Sequence, residues 1–186
     1  NFDTFSYEWY DNTTPDPSNG LTPYHNMQRI VDICHKFVDN FDKEAANILF
    51  FGGTGTGKTF LSNCIARELL NTSHSVIYLT AIELFTTFQR QDFSRFGEDK
   101  DSDANYLSDC DLLIIDDLGT ELNNSFTSSQ LFYCINERMN MNRSTIISTN
   151  LSLTQLRDSY TDRVTSRIMR YRIIPLYGRD IRLLKR

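Results

Sequence analysis

The run Gly52-Gly53-Thr54-Gly55-Thr56-Gly57-Lys58-Thr59 satisfies the pattern G-x-x-x-x-G-K-[ST] in full. Glycines allow the backbone to curl until successive N–H groups point into one small volume, a concavity that suits phosphate oxygens. The motif requires a strand before it and a helix after it, and both are legible here. Ile48-Leu49-Phe50-Phe51 is a short apolar strand, and a helix is expected from about Lys58 to Leu70, with its positive dipole end at the loop. Gly53, Thr54, Gly55, Thr56, Gly57, Lys58, Thr59 and Phe60 are therefore expected to bind ATP or ADP. Lys58 is the one fixed cation expected among the β- and γ-phosphates, and the Thr59 hydroxyl is expected to ligate Mg²⁺.

A second set completes that chemistry. Leu112-Leu113-Ile114-Ile115 runs straight into Asp116-Asp117, an apolar strand that delivers carboxylates to the edge where α/β sheets bind nucleotides. Asp116 is expected to hold Mg²⁺ through its water shell, and Asp117 to orient or deprotonate the attacking water. Glu121 lies close enough in sequence to compete for that role. Thr145-Ile-Ile-Ser-Thr149 ends in Asn150, whose amide could hydrogen-bond the water or the γ-phosphate. Arg163 and Arg167 stand four apart on one face of a predicted helix. Arg167 is the first choice, and Arg163 the second, for an arginine donated to a neighbouring subunit's site.

These residues need a scaffold, and the pattern supplies one. Continuous apolar strands (48–51, 76–79, 112–115, 145–149 and 172–176) alternate with helical patterns at about 58–70, 81–91, 128–141 and 162–170. Strands apolar on both faces, separated by helices, make an α/β fold: a three-layer sandwich around a parallel sheet. Met27, Ile30, Val31, Cys34, Phe37, Val38 and Phe41 recur at helical steps and place a further helix ahead of the first strand. Residues 1–24, with five aromatics followed by prolines, read as an irregular linker, and residues 25–186 as the domain. The chain opens at Asn1 without a methionine, which reads as a missing N-terminal part.

Composition excludes several classes. With 40% apolar and 23% charged residues the chain is ordinary for a globular domain, and no apolar run is long enough to span a membrane. Cys34, Cys64, Cys110 and Cys134 form no C-x-x-C pair, and His25, His35 and His74 have no ligand spacing. Free thiols in the cytoplasm are expected rather than disulfides or zinc. The net charge of −5 is uneven: residues 157–186 carry +6 and the remainder −11. Ends of opposite sign suit head-to-tail self-association or contact with phosphates.

Taken together, Asn47 to Thr59, Asp111-Leu-Leu-Ile-Ile-Asp-Asp-Leu-Gly-Thr-Glu121, Ser148-Thr-Asn150 and Arg163-Val-Thr-Ser-Arg167 resemble the AAA+ domain of bacterial helicase loaders of the DnaC/DnaI type, with the IstB transposition ATPase a close relative. The resemblance spans about residues 40–186. It implies ATP-dependent assembly, single-stranded DNA binding and delivery of the replicative helicase, through an N-terminal helicase-binding domain placed before Asn1. It also implies that Arg167 matches the trans-acting finger. In loaders, the stretch from Ile82 to Phe96, with Phe85, Phe88, Arg90, Phe93, Arg95 and Phe96, corresponds to a helical element that touches DNA. Phe85 and Phe88 also fit a core. A carboxylate as short as Asp117, and an end too near the last strand for a helical lid with its sensor arginine, imply slow hydrolysis, a switch more than an engine. An accessory ATPase for a DNA transposase is the alternative.

Overall fold

The computed structural model describes residues 1–17, 20–94, 106–122 and 124–184, with side chains omitted for 91–94. Five parallel strands, β1 (Ile48–Gly52), β2 (Val76–Thr80), β3 (Leu112–Leu118), β4 (Ser144–Thr149) and β5 (Arg172–Leu176), form one sheet in the order β2-β3-β4-β1-β5. The strand β4 thus separates the loop after β1 from the acids of β3, and its end stands between them.

Burial explains why the strands are apolar throughout. Successive residues of each central strand enter opposite cores: Ile48, Phe50, Leu112, Ile114 and Ile146 go to one, while Leu49, Leu113, Ile115 and Ile147 go to the other. Each such side chain contributes about 1.5–3 kcal/mol on full burial. The first core is closed by α1 (Pro23–Asp39) and α2 (Lys58–Asn71). The second is closed by α3 (Ala81–Ser94), α5 (Ser125–Asn140) and α7 (Asp162–Ile168), with the short α4 (Tyr106–Asp109) and α6 (Leu153–Ser159) at its rim. No helix among the described residues is long and apolar enough to cross a membrane.

Caps set several helix limits. Thr22 caps α1, with Pro23 in its first turn, so this helix begins two residues before the expected domain start at 25. Asn124 and Thr127 form a capping box that starts α5 at Ser125, three residues earlier than its apolar rhythm indicates. Ser152 and Gln155 form a capping box at the start of α6.

Arg138 of α5 is fully buried and ties the second layer to the start of β3. Its guanidinium donates to the carbonyls of Leu107 at 2.6 Å, Cys110 at 3.0 Å and Ser144 at 2.5 Å, and to Thr145 Oγ1 at 3.0 Å. Five donors in a fixed fork suit such a ring of carbonyls.

Residues 1–17 are irregular apart from a single turn at Phe2–Thr4, yet they lie on the domain. Tyr10 is buried in the first core, and its hydroxyl donates to the Thr56 carbonyl at 3.2 Å. Phe5 stacks on Tyr10 and tilts against Phe60, at 5.9 and 5.7 Å between ring centroids.

Candidate functional site

The loop between β1 and α2 curls over the sheet edge. Thr56 Oγ1 closes it by donating to the Gly53 carbonyl at 2.9 Å. Gly55 has φ +71°, a left-handed conformation that favours glycine, and a Cβ there would also force the Asp180 carboxylate to shift. The Ile181 N–H donates to the Gly55 carbonyl at 3.0 Å, which docks the segment after β5 onto the loop.

Lys58 is buried and its Nζ donates to Gly52 O at 2.8 Å, Gly53 O at 2.8 Å and Asn150 Oδ1 at 2.7 Å. Burial pulls its ammonium below the ordinary value, opposed by the nearby Asp117 and Asp116 carboxylates and reinforced by Arg182. The end of β4 therefore meets the loop through one side chain, as the strand order requires.

Asp116 is buried and encircled by hydroxyls. Thr59 Oγ1 donates to its Oδ2 at 3.0 Å, Tyr78 Oη donates to the same oxygen at 2.7 Å, and Ser148 Oγ donates to Oδ1. Burial, then the bond to Asp116, push the Tyr78 phenol above its usual range, so it remains a donor.

Asp117 sits on a bulge: the β3–β4 register shifts between Ile115 and Leu118. Its φ is +55°, a left-handed conformation that Asp and Asn tolerate better than most residues. The Thr120 N–H donates to the Asp117 carbonyl at 3.3 Å, and three side-chain contacts hold it further. Its N–H donates to Ser148 Oγ at 3.0 Å, its carbonyl accepts from Thr120 Oγ1 at 2.9 Å, and its Oδ1 faces Asn150 Nδ2 at 3.4 Å. The bulge turns this carboxylate into the cleft while Asp116 stays in the sheet.

A cleft of about 500 Å³ joins these groups. Thr54, Gly55, Gly57, Lys58, Thr59, Asp117 and Asn150 line it together with the aromatics Phe5, Trp9, Tyr10 and Phe60. The polar groups suit phosphates and the aromatic rings a planar base. Arg182, from the basic end of the chain, also lines the cleft and pairs with Asp180 at 2.8 Å, so Lys58 has cationic company there.

Two expected residues stand elsewhere. Glu121 accepts from the Gly119 N–H at 2.8 Å and from the Tyr160 hydroxyl, which occupies both carboxylate oxygens and leaves it off the cleft wall. Arg167 donates from Nε to Asn136 Oδ1 at 2.9 Å and lies over the Phe132 ring at 5.6 Å, on the α5–α7 face. Arg163 on the same helix is exposed. Of the stretch expected near DNA, Phe85 and Phe88 are buried core and Arg90 is exposed. The side chain of Phe93, and Arg95 and Phe96 entirely, lie outside the described residues.

Tyr78, Ser148, Arg182 and the aromatics Phe5, Trp9 and Tyr10 were assigned no role in this site from sequence. Polar atoms inside otherwise apolar strands, Tyr78 in Val-Ile-Tyr-Leu and Ser148 in Ile-Ile-Ser-Thr, were the available signal for two of them.

Asp117→Asn should leave the fold intact, because Asn suits the left-handed position and keeps a side chain for Asn150 to meet. Removing the charge should lower ATP turnover by ~10²-fold or more. Single-turnover phosphate release alongside thermal melting checks this. Normal turnover in Asp117→Asn, with a loss in Glu121→Gln, would move the base to Glu121.

Comparisons with known proteins bear on the family and the fold. The family model for IstB-like ATP binding proteins matches residues 27–175. The replicative helicase loader DnaC of Escherichia coli (strain K12) is 28% identical over 133 residues, 72% of this chain and 54% of that protein. The chain thus spans about half the length of that relative. A crystal structure of the DnaC helicase loader matches with a TM-score of 0.71 at 23% identity, covering 92% of this chain and 98% of that one. Replication initiator DnaA bound to AMPPCP and single-stranded DNA matches with a TM-score of 0.70 at 20% identity, covering 82% and 46%. These structures share the fold, a parallel sheet flanked by helices.

Proposed function

The chain belongs to the IstB-like ATP-binding protein family, and on that premise we propose that it is a slowly hydrolysing ATP switch that assembles head to tail on single-stranded DNA and helps load a replicative helicase. The observation that carries this reading is the convergence of Lys58, Thr59, Asp117 and Asn150 on one cleft, with Asp116 behind Thr59. Phosphates entering the loop take over the bonds Lys58 makes to Gly52 and Gly53, and the base lies among Phe5, Trp9 and Phe60.

The Thr59 hydroxyl and the Asp116 carboxylate are hard oxygen donors of the kind Mg²⁺ takes. Thr59 donates its proton to Asp116, which leaves its lone pairs free for a cation. Bound there, Mg²⁺ supplies charge neutralisation on the phosphates. Asp117 accepts a proton from water as the water oxygen bonds to the γ-phosphorus and the bond to the bridging oxygen breaks, giving ADP and phosphate. Asn150 orients the water or the γ-phosphate. Arg182 leaves Asp180 for the phosphates, a second cation beside Lys58.

DnaC is a helicase loader by name, and DnaA is seen with single-stranded DNA; both support the replication reading. The family match itself favours a second reading, an accessory ATPase for a DNA transposase. Phosphate release and retention of a labelled oligonucleotide test the common part. Magnesium-dependent release, and DNA retention with an ATP analogue that weakens as salt rises, are expected. A folded protein that neither releases phosphate nor retains DNA contradicts it. A pull-down by the full-length protein against helicase and transposase separates the two partners.

A further inference from the structure

We infer that Tyr78 is a positioning residue for the magnesium site: its hydroxyl fixes the Asp116 carboxylate in the orientation that serves a cation shared with Thr59. The inference rests on the ATP reading of the cleft and goes beyond its motifs, since β2 carries none of them.

The geometry is specific. Among the described residues, the strand β2 is the edge of the sheet and pairs only with β3. In register, Thr80 stands opposite Asp116 and Tyr78 opposite Ile114. A side chain at 78 must therefore run two residues along the sheet to reach Asp116, and a phenol is long enough and rigid enough to do so. Tyr78 Oη closes to 2.7 Å on Oδ2, the oxygen that Thr59 also reaches at 3.0 Å. From the other side of β3, Ser148 donates to Oδ1 and accepts from the Asp117 N–H at 3.0 Å.

A carboxylate offers about four lone-pair directions. Hydroxyls from β2, α2 and β4 each claim one, which removes the rotational freedom of the Asp116 side chain and settles which direction remains. Asp116 is buried, so water cannot substitute for a missing donor without rearrangement. Partners of this kind, behind a metal ligand, are worth roughly 10–100-fold in metal affinity. A tyrosine that merely satisfied its own hydroxyl would affect stability and leave the cation dependence alone.

Tyr78→Phe retains the ring and deletes the one oxygen. Binding of a fluorescent ADP analogue, measured in EDTA and across a Mg²⁺ titration, separates the two roles, with thermal melting as the check on folding. For Tyr78→Phe, affinity in EDTA is expected within about twofold of wild type, while the Mg²⁺ concentration for half-maximal effect rises roughly 10-fold. A Mg²⁺ titration that superimposes on wild type in the folded variant overturns the role of Tyr78 and leaves the ATP reading standing. A wild-type protein whose nucleotide binding ignores Mg²⁺ altogether overturns the site reading and Tyr78's role with it.

Discussion

Lys58→Ala is expected to raise the dissociation constant for ATP by ~10²-fold or more while the domain stays folded. A hydrogen bond to a charged group is worth roughly 1.5–3 kcal/mol, and Lys58 is placed to make two of them, to the β- and γ-phosphates. The ammonium sits buried at the bottom of the loop, where screening is weak, and within the influence of Asp116 and Asp117. Its removal frees the carbonyls of Gly52 and Gly53 and the amide of Asn150. Gly53 and Asn150 are exposed, so water replaces the lost donor and folding survives. Arg182 provides residual attraction once it leaves Asp180, but its guanidinium is largely exposed and screened by water, so it does not substitute for the buried Lys58. Anisotropy of a fluorescent ATP analogue, with thermal melting in parallel, checks the result. Unchanged affinity in a folded variant would remove the phosphate-loop assignment.

Arg167→Ala is expected to lower turnover by ~10³-fold with nucleotide binding retained. Arg167 does not line its own chain's cleft; it lies on the α5–α7 face, held by Asn136 and the Phe132 ring. A group that acts on phosphates from there must act on a second copy. The charge pattern supports such a contact, since residues 157–186 carry +6 and the body −11. A heterologous contact of this kind builds a ring or a spiral. Mixing supplies the decisive form of the test. Arg167→Ala and Lys58→Ala are each inactive alone, but a mixed interface joins the intact Arg167 of the second to the intact loop of the first. Recovered activity supports the trans site; no recovery, with both proteins folded, counts against Arg167.

Much of this site follows from local rules. The phosphate loop after β1, the acids near the end of β3 and the amide after β4 each stand at a strand end, and strand ends are set by apolar runs that both cores read in alternation, as Leu112 to Ile115 do. What connects those ends is not local. Tyr78 reaches Asp116 only because β2 pairs with β3, and Ser148 bridges both acids only because β4 lies on the other side. Spacing along the chain carries neither fact. The same holds for Glu121, near Asp117 in sequence but turned to Tyr160 by the loop after Gly119. The aromatics of residues 1–10 looked like linker because they follow no period. Their order comes from Tyr10 bonding to Thr56 of the phosphate loop, 46 residues away, and from Phe5 packing on Tyr10 and Phe60. The place of Arg182 in the cleft was invisible for a related reason: it depends on Ile181 docking to Gly55.

The central claim is that ATP binds in the cleft between the glycine loop and the aromatic wall. Trp9 lines that cleft and is the chain's single tryptophan, so its fluorescence reports on the site directly. Titrating the wild-type protein with ATP and Mg²⁺, while following Trp9 emission and the heat of binding, is the most direct measurement. The account predicts one site per chain, with the fluorescence change and the heat saturating together. A folded protein that shows neither heat nor a change at Trp9 up to millimolar ATP would contradict it.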